Sequence, residues 1–367
     1  MRSYHPSGKH LPSLAERAGG WLFSLLKNWT LPSAIVIGSV LYLTFAYVPA
    51  LDAAGDALSP ILETLLPVSL FFTLFVTFSK VDFHLMRLYR WHLYVLTMQL
   101  LLIGALVLLI LYCPSSPVHF SFFTLSYSFP YGKLLLEAVL MCVIAPCASA
   151  APVVTSKLGG SLTQMTTFVL LSSFTVSLLI PAIFPLLEPH QGMTFLSTFL
   201  LILQRLASVL LLPLVLGAVV RHWVKPLYEW FLRTPNLSFY SWAVSLSIVV
   251  GITLRNILHS HAAGHLIGDI ALFTLLTAIV QFAIGRLIGR VTGDPICTGQ
   301  GMFQKNTGLA IWIAFMYLTP EASIGAGCYV LWQNIINSYE LWQHRRTGAP
   351  GPDTAATPTA FQRSTRL

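Results

Sequence analysis

The stretch PICTGQGMFQKNTGLAIWIAFMYL, residues 295–318, decides the fold. Its ends are apolar and its length suits a helix that crosses a bilayer, which takes about 20 residues. Its middle, from Thr298 to Gly308, instead gathers Gly299, Gln300, Gly301, Gln304, Lys305, Asn306 and Thr307. No lipid-facing helix tolerates such a cluster, and irregular backbone at membrane depth is allowed only where it meets other protein or lines a cavity. The segment predicts a broken helix inside a helical membrane protein.

The rest of the chain points the same way. Of its 367 residues, 55% are hydrophobic and 9% charged, where soluble domains carry roughly 25% charged residues. Apolar stretches fall at 33–51, 58–79, 93–113, 134–156, 161–186, 194–220, 237–254, 266–285, 295–318 and 322–339. In lipid each must be helical, because unpaired backbone groups cost several kcal/mol apiece. The expected fold is all-α and integral to the membrane, with ten transmembrane helices. Residues 1–30 are a tail, 31–343 the transmembrane domain, and 344–367 a second tail, disordered because it is rich in Pro, Gly and Thr. The stretch 194–220 is long and interrupted by Gln204 and Arg205; it reads as an interfacial helix over 194–204 before span six, or as one long tilted helix.

A net charge of +8 could suggest nucleic acid, but the basic residues sit in alternate loops. One side holds Arg2, Lys9, Arg17, Lys27, Lys80, Arg87, Arg90, Lys157, Arg221, Lys225, Arg233, Arg286, Arg290, Arg345, Arg346, Arg363 and Arg366. The other holds Lys133, Arg205 and Arg255, leaving Lys305 within a span. Seventeen against three places both termini in the cytoplasm, with lipid as the chain's partner. Nucleic acid and an obligate protein partner are not expected. Cys113, Cys142, Cys147, Cys297 and Cys328 form no Cys-x-x-Cys pair, so neither a metal site nor a disulfide framework is expected.

A second interruption lies at Ala145-Pro146-Cys147-Ala148-Ser149-Ala150-Ala151-Pro152, in the fourth apolar stretch. Breaks in the fourth and ninth of ten spans occupy matching places in two five-helix halves of opposite orientation. That pattern predicts an inverted repeat whose broken helices cross at a binding site, as in secondary transporters. Lys305 is the sharpest residue, since an ammonium at the bilayer centre costs at least about 3 kcal/mol unless paired, hydrated or deprotonated. Three roles are open to it: neutralising an anionic substrate, replacing a bound cation, or carrying a proton. A structural ion pair is the plain alternative.

Other polar groups have packing explanations. Glu63 and Glu137 lie about one turn from the outer boundary, and Glu137 follows Lys133 at i+4. Asn334, Asn337 and Ser338 share one face of span ten, where hydrogen bonds to span nine account for them. Ser172, Ser173 and Thr175 can bond back to their own helix. His259, His261 and His265 have no carboxylate or cysteine partner for a metal. No Walker A loop, dinucleotide fingerprint or Gly-x-Ser-x-Gly elbow is present.

The sequence resembles the bile acid:sodium symporter family in Phe78-Ser79-Lys80-Val81-Asp82-Phe83, in Leu211-Leu212-Pro213-Leu214-Val215-Leu216-Gly217, and in Asn306-Thr307-Gly308-Leu309-Ala310. The resemblance covers about residues 30 to 343 and implies a four-helix panel and a six-helix core in which spans four and nine cross. In sodium-coupled members span nine carries a Glu followed four residues later by Gln-Asn; here Gly301 and Lys305 stand at the acidic and Gln positions. A Ser-Asn pair expected in span four is replaced by Ala151 and Pro152. These departures argue against sodium coupling and for a proton-coupled or uncoupled carrier, with Lys305 replacing a cation.

The expected function is alternating-access transport of an organic anion, bile-acid-like or a small carboxylate. Substrate binding is assigned to Ser149, Thr155, Gln304, Lys305, Asn306, Thr307 and Asn334, and ion coupling to Lys305, Gln300 and Gln304. No cofactor is expected beyond sodium itself, which the residues disfavour. The alternatives are an arsenite- or auxin-type carrier of the same crossed-helix plan, and a membrane-embedded enzyme, for which no nucleophile with a base is evident. A sensor lacks any added signalling domain.

Overall fold

The computed structural model describes residues 30–81, 86–112, 118–122, 125–129, 132–188, 194–234, 237–259 and 264–346. The two expected tails, apart from Thr30 and residues 344–346, lie outside these residues, as do Asp82, Phe83, Cys113 and His261, and the side chains of Glu63 and His259. The described chain is helical. Its elements begin with α1 (Thr30–Tyr47), α2 (Asp52–Ser79) and α3 (Arg90–Tyr112). A hairpin not foreseen in an all-α fold follows, β1 (Val118–Phe122) paired antiparallel with β2 (Leu125–Phe129).

Next come α4 (Gly132–Ile144), α5 (Ala151–Lys157) and α6 (Leu162–Leu187), then α7 (Phe195–Leu210), α8 (Leu212–Trp223), α9 (Lys225–Arg233) and α10 (Leu237–His259). The chain ends in α11 (Gly264–Thr292), α12 (Pro295–Phe303), α13 (Thr307–Tyr317) and α14 (Pro320–Arg346). Each of the ten apolar stretches falls on helix. Among the described residues five helices are individually long and apolar enough to cross a membrane, Arg90–Tyr112, Leu162–Leu187, Phe195–Trp223, Leu237–Arg255 and His265–Thr292. The bent α2 makes a sixth if counted as one span; it turns by 40° around Glu63, between the helix-breaking Pro60 and Pro67.

The interfacial reading of 194–204 gives way to the long helix. Leu211 N–H donates to Ala207 (2.9 Å) and Val215 N–H to Leu211 (3.1 Å), so α7 runs into α8 with only a local irregularity before Pro213. Arg205, too polar for open lipid, faces Tyr317 at the end of α13. Helix starts follow local chemistry. Asp294 accepts from Cys297 N–H (2.9 Å) to cap α12, Ser161 caps α6, and Asn306 accepts from Leu309 N–H (3.2 Å) to cap α13.

Burial separates two kinds of helix. α3, α7 and α11 turn apolar side chains such as Leu101, Leu200 and Leu276 outward. α4, α12 and α13 are almost wholly enclosed, and the main core runs along them through Met141, Ile144, Met302, Leu309 and Ile313. α14 packs against α4, α11 and α13. At Gly325 an added Cβ would stand 2.5 Å from the carbonyl oxygen of Ala138, so only glycine admits this approach of α14 to α4.

Candidate functional site

The two breaks meet. Residues 145–150 separate α4 from α5 and residues 304–306 separate α12 from α13; Cys147 and Lys305 pair as an isolated antiparallel bridge. Ala148 N–H donates to Gln304 O (2.9 Å) and Asn306 N–H to Pro146 O (2.8 Å). In such a pair the central residues turn their own N–H and C=O outward and set their side chains next to each other on one face. Cys147 and Lys305 therefore share a face, and Gln304 and Asn306 project from the opposite one.

The outward-turned backbone groups are taken by side chains from neighbouring helices. Cys147 N–H donates to Ser172 Oγ of α6 (2.9 Å). Lys305 N–H donates to Gln333 Oε1 of α14 (3.0 Å), and Gln333 Nε2 donates back to Lys305 O (3.2 Å). Carbonyls freed at the end of α4 are covered as well: Gln99 of α3 donates to Val143 O (3.0 Å) and Ala145 O (3.2 Å), and Gln281 of α11 donates to Cys142 O (3.2 Å). Tyr329 Oη donates to Phe303 O at 2.7 Å. At membrane depth each such group must be satisfied, and here five side chains do so.

What remains open is on the side chains. Lys305 is 1% exposed, and its ammonium has no hydrogen-bond partner and no ion pair among the described residues. Its electrostatic neighbours are Cys147 and Cys142. The structural ion pair is thus not found. Both ends of the Gln304 amide are buried without a partner, as is Oδ1 of Asn334, whose Nδ2 donates back to Val330 O. Four helix ends converge here: the carbonyl ends of α4 and α12 and the N–H ends of α5 and α13, giving fixed partial charges of both signs.

The expected residues are distributed unevenly. Ser149, Gln304, Lys305, Asn306 and Thr307 lie at the crossing, with Lys305 on the face opposite Gln304 and Asn306. Thr155 does not; it sits at the far end of α5 with its methyl group, Ile296 and Cys297 around Gly160. Gln300 is one turn below the break, donating to Asn337 Oδ1 (3.0 Å) and Glu340 Oε2 (2.9 Å). Glu137 pairs with Lys133 at 3.6 Å, but Lys133 bonds more closely to Glu188, at 2.5 Å.

Sequence reasoning missed Gln333, Gln99, Gln281 and Tyr329. Gln99 and Gln281 are lone amides in otherwise apolar helices, a signal that was there to read. Ser172 was assigned to its own helix, which holds for Thr175 but not for Ser172. A cavity of about 320 Å³ opens between α2, α10 and α13, lined by Pro60, Pro67, Ile252, Trp312, Phe315 and Met316. It is apolar and begins at Ile311, about 6 Å of helix beyond Thr307. Between the two, Gly308 lets Leu70 and Val249 close against α13.

Long apolar helices around two enclosed half-helix pairs define a multi-pass membrane protein. Residues 67–262 match the model of the sodium bile acid symporter family, and the chain belongs to that family. The matched part includes the α4–α5 break and stops before the break that carries Lys305. No curated protein matches the chain individually.

Proposed function

We propose that the protein is a ten-span secondary transporter of an organic anion, with two inverted five-helix repeats, both termini in the cytoplasm of a plasma membrane, and Lys305 in place of a transported cation. The observation that carries this reading is the crossing itself: paired breaks with a buried ammonium that has no carboxylate partner among the described residues. The clamps support the repeat. Each central N–H is capped from the helix after its broken span, Cys147 from α6 and Lys305 from α14, a correspondence expected of two related halves.

A fixed ammonium supplies from within the chain the charge that sodium brings in the family's named activity, so the anion binds without it. Gln304 and Asn306 offer hydrogen bonds on the face away from Lys305, Ser149 in the first break and Thr307 at the start of α13 add hydroxyls, and the N-terminus of α13 is nearby. The apolar cavity beyond Leu70 and Val249 suits the body of an amphipathic anion more than a small dicarboxylate. Residues 31–343 form the transport domain, with α1, α2, α7, α8 and α10 as a panel against a core containing the crossing.

The test is uptake of radiolabelled taurocholate and of small carboxylates into proteoliposomes under an imposed sodium or proton gradient. Sodium-independent uptake that fails in Lys305→Gln is expected. Uptake driven by sodium in the wild type, and kept by Lys305→Ala, sinks the proposal.

A further inference from the structure

The polar contacts of the crossing do not end at Lys305. Gln300 of α12 stands opposite Gln333 and Asn337, one turn apart on α14: Gln333 clamps the Lys305 peptide and Asn337 accepts from Gln300. One further turn along α14, Glu340 accepts from Gln300 and pairs with Arg286 of α11. All three amides are at most 1% exposed, yet Gln300 Oε1 and Asn337 Nδ2 have no protein partner. Glu340 and Arg286 are not sealed; their side chains are 13% and 28% exposed.

Buried polar atoms without protein partners are met by ordered water when the site is polar on several sides. The span from Gln333 to Glu340 is seven residues of helix, about 10 Å, or three to four waters in file. We propose that this seam between α12 and α14 holds a file of water that carries protons between the Lys305 ammonium and Glu340 at the cytoplasmic edge.

The step is a proton transfer with no electron moved. An N–H bond of Lys305 breaks and leaves a neutral amine, the proton passes along water held in place by the amides, and an O–H bond forms on Glu340 or in bulk water. Glu340 suits the end of the file because Arg286 and Gln300 hold its carboxylate in position while leaving it partly open. The groups that face the two ends are few: Cys142 of α4 and Cys147 of the break after it at Lys305, and Arg286 of α11 and Gln300 of α12 at Glu340, with His344 a turn further on beside Gly159. The inference rests on the proposed role of Lys305 and adds its route to the cytoplasm.

Hydroxyl-radical footprinting in ¹⁸O-labelled water, read by mass spectrometry at Phe303 of α12 and Tyr329 of α14, whose rings pack against each other across the seam, detects the water without a substrate. Asn337→Leu and Gln300→Leu should each cut labelling at least fivefold, while monodisperse elution reports the fold. Proton movement with taurocholate, read by pyranine inside proteoliposomes, should fall at least tenfold in Asn337→Leu and in Glu340→Gln, the latter keeping its labelling. Unchanged labelling in both leucine variants, or no proton movement in the wild type, overturns the file. If Lys305→Gln stops proton movement and Asn337→Leu does not, the seam fails alone; if Lys305→Gln behaves as wild type, the role of Lys305 fails with it.

Discussion

Replacing Lys305 by methionine separates two accounts of this residue that make opposite predictions. Methionine keeps the length and flexibility of the side chain and removes its charge. If the ammonium is buried without a partner, as the described contacts have it, the change removes a burial cost of about 3 kcal/mol. Some of that is already offset by hydration and by the cysteine sulfurs, so a net gain of about 2 kcal/mol is expected, or ~4 °C in melting temperature for a chain of this size. Were Lys305 held in an ion pair, removing it would instead strand a carboxylate and cost about 3–5 kcal/mol. Thermal unfolding in detergent, followed by intrinsic fluorescence and by aggregation, reads the sign directly. A stabilised variant that no longer transports is the expected pair of results. A melting temperature lowered by several degrees refutes the reasoning, because it requires a partner for the charge.

The clamps on the two central peptides differ in strength. Gln333→Leu leaves both the N–H and C=O of Lys305 buried and unpaired and should cost about 2–5 kcal/mol, whereas Ser172→Ala strands only the Cys147 N–H and should cost about 1–2 kcal/mol, both measured as thermal shifts. Gly325→Val forces α14 away from the Ala138 backbone and should abolish monodisperse expression; normal expression would show that the two helices can separate at little cost. Lys133 ties the start of α4 to the end of α6, and its hydrogen bond to Glu188 raises its pKa above the usual lysine value. Its stabilisation is therefore complete below about pH 10 and fades as pH climbs through the raised value, and Lys133→Gln should cost only about 0.5 kcal/mol at neutral pH, less in high salt.

The positions of the helices were legible because lipid makes hydropathy decisive: a run such as Trp91–Leu111 has no other stable form. The breaks were legible too, since Pro146 and Pro152 in one stretch and Gly299 to Asn306 in the other cannot sit in uninterrupted lipid-facing helix. Which side chains share a face of the crossing was not. That depends on pairing Cys147 with Lys305 across more than 150 residues of chain, and a shift of one residue would exchange Lys305 with Gln304. Span ten was legible in part. Asn337 does bond span nine, through Gln300, but Asn334 bonds back to Val330, and Gln333, about 100° around the helix from Asn334, is the residue that reaches the break. Thr155 and Gln300 were grouped with the site by nearness in sequence, and a half-helix carries a residue several ångströms away with each turn.

A fixed positive charge that moves with the core sets the charge balance of the proposed cycle. A monoanion bound near Lys305 makes a neutral complex, so its translocation should respond little to membrane potential. A dianion leaves one net negative charge, and carrying it inward against −100 mV costs up to about 2.3 kcal/mol, a slowing of up to about 50-fold. The empty carrier returns with the ammonium uncompensated unless its proton leaves, so exchange of anions should outpace net uptake at neutral pH. Valinomycin-clamped proteoliposomes, compared with benzoate and phthalate as probes, measure both effects. Clear voltage dependence for benzoate, about doubled for phthalate, would mean that Lys305 is neutral throughout the cycle, and the carrier would then move its substrate's charge without help from its own.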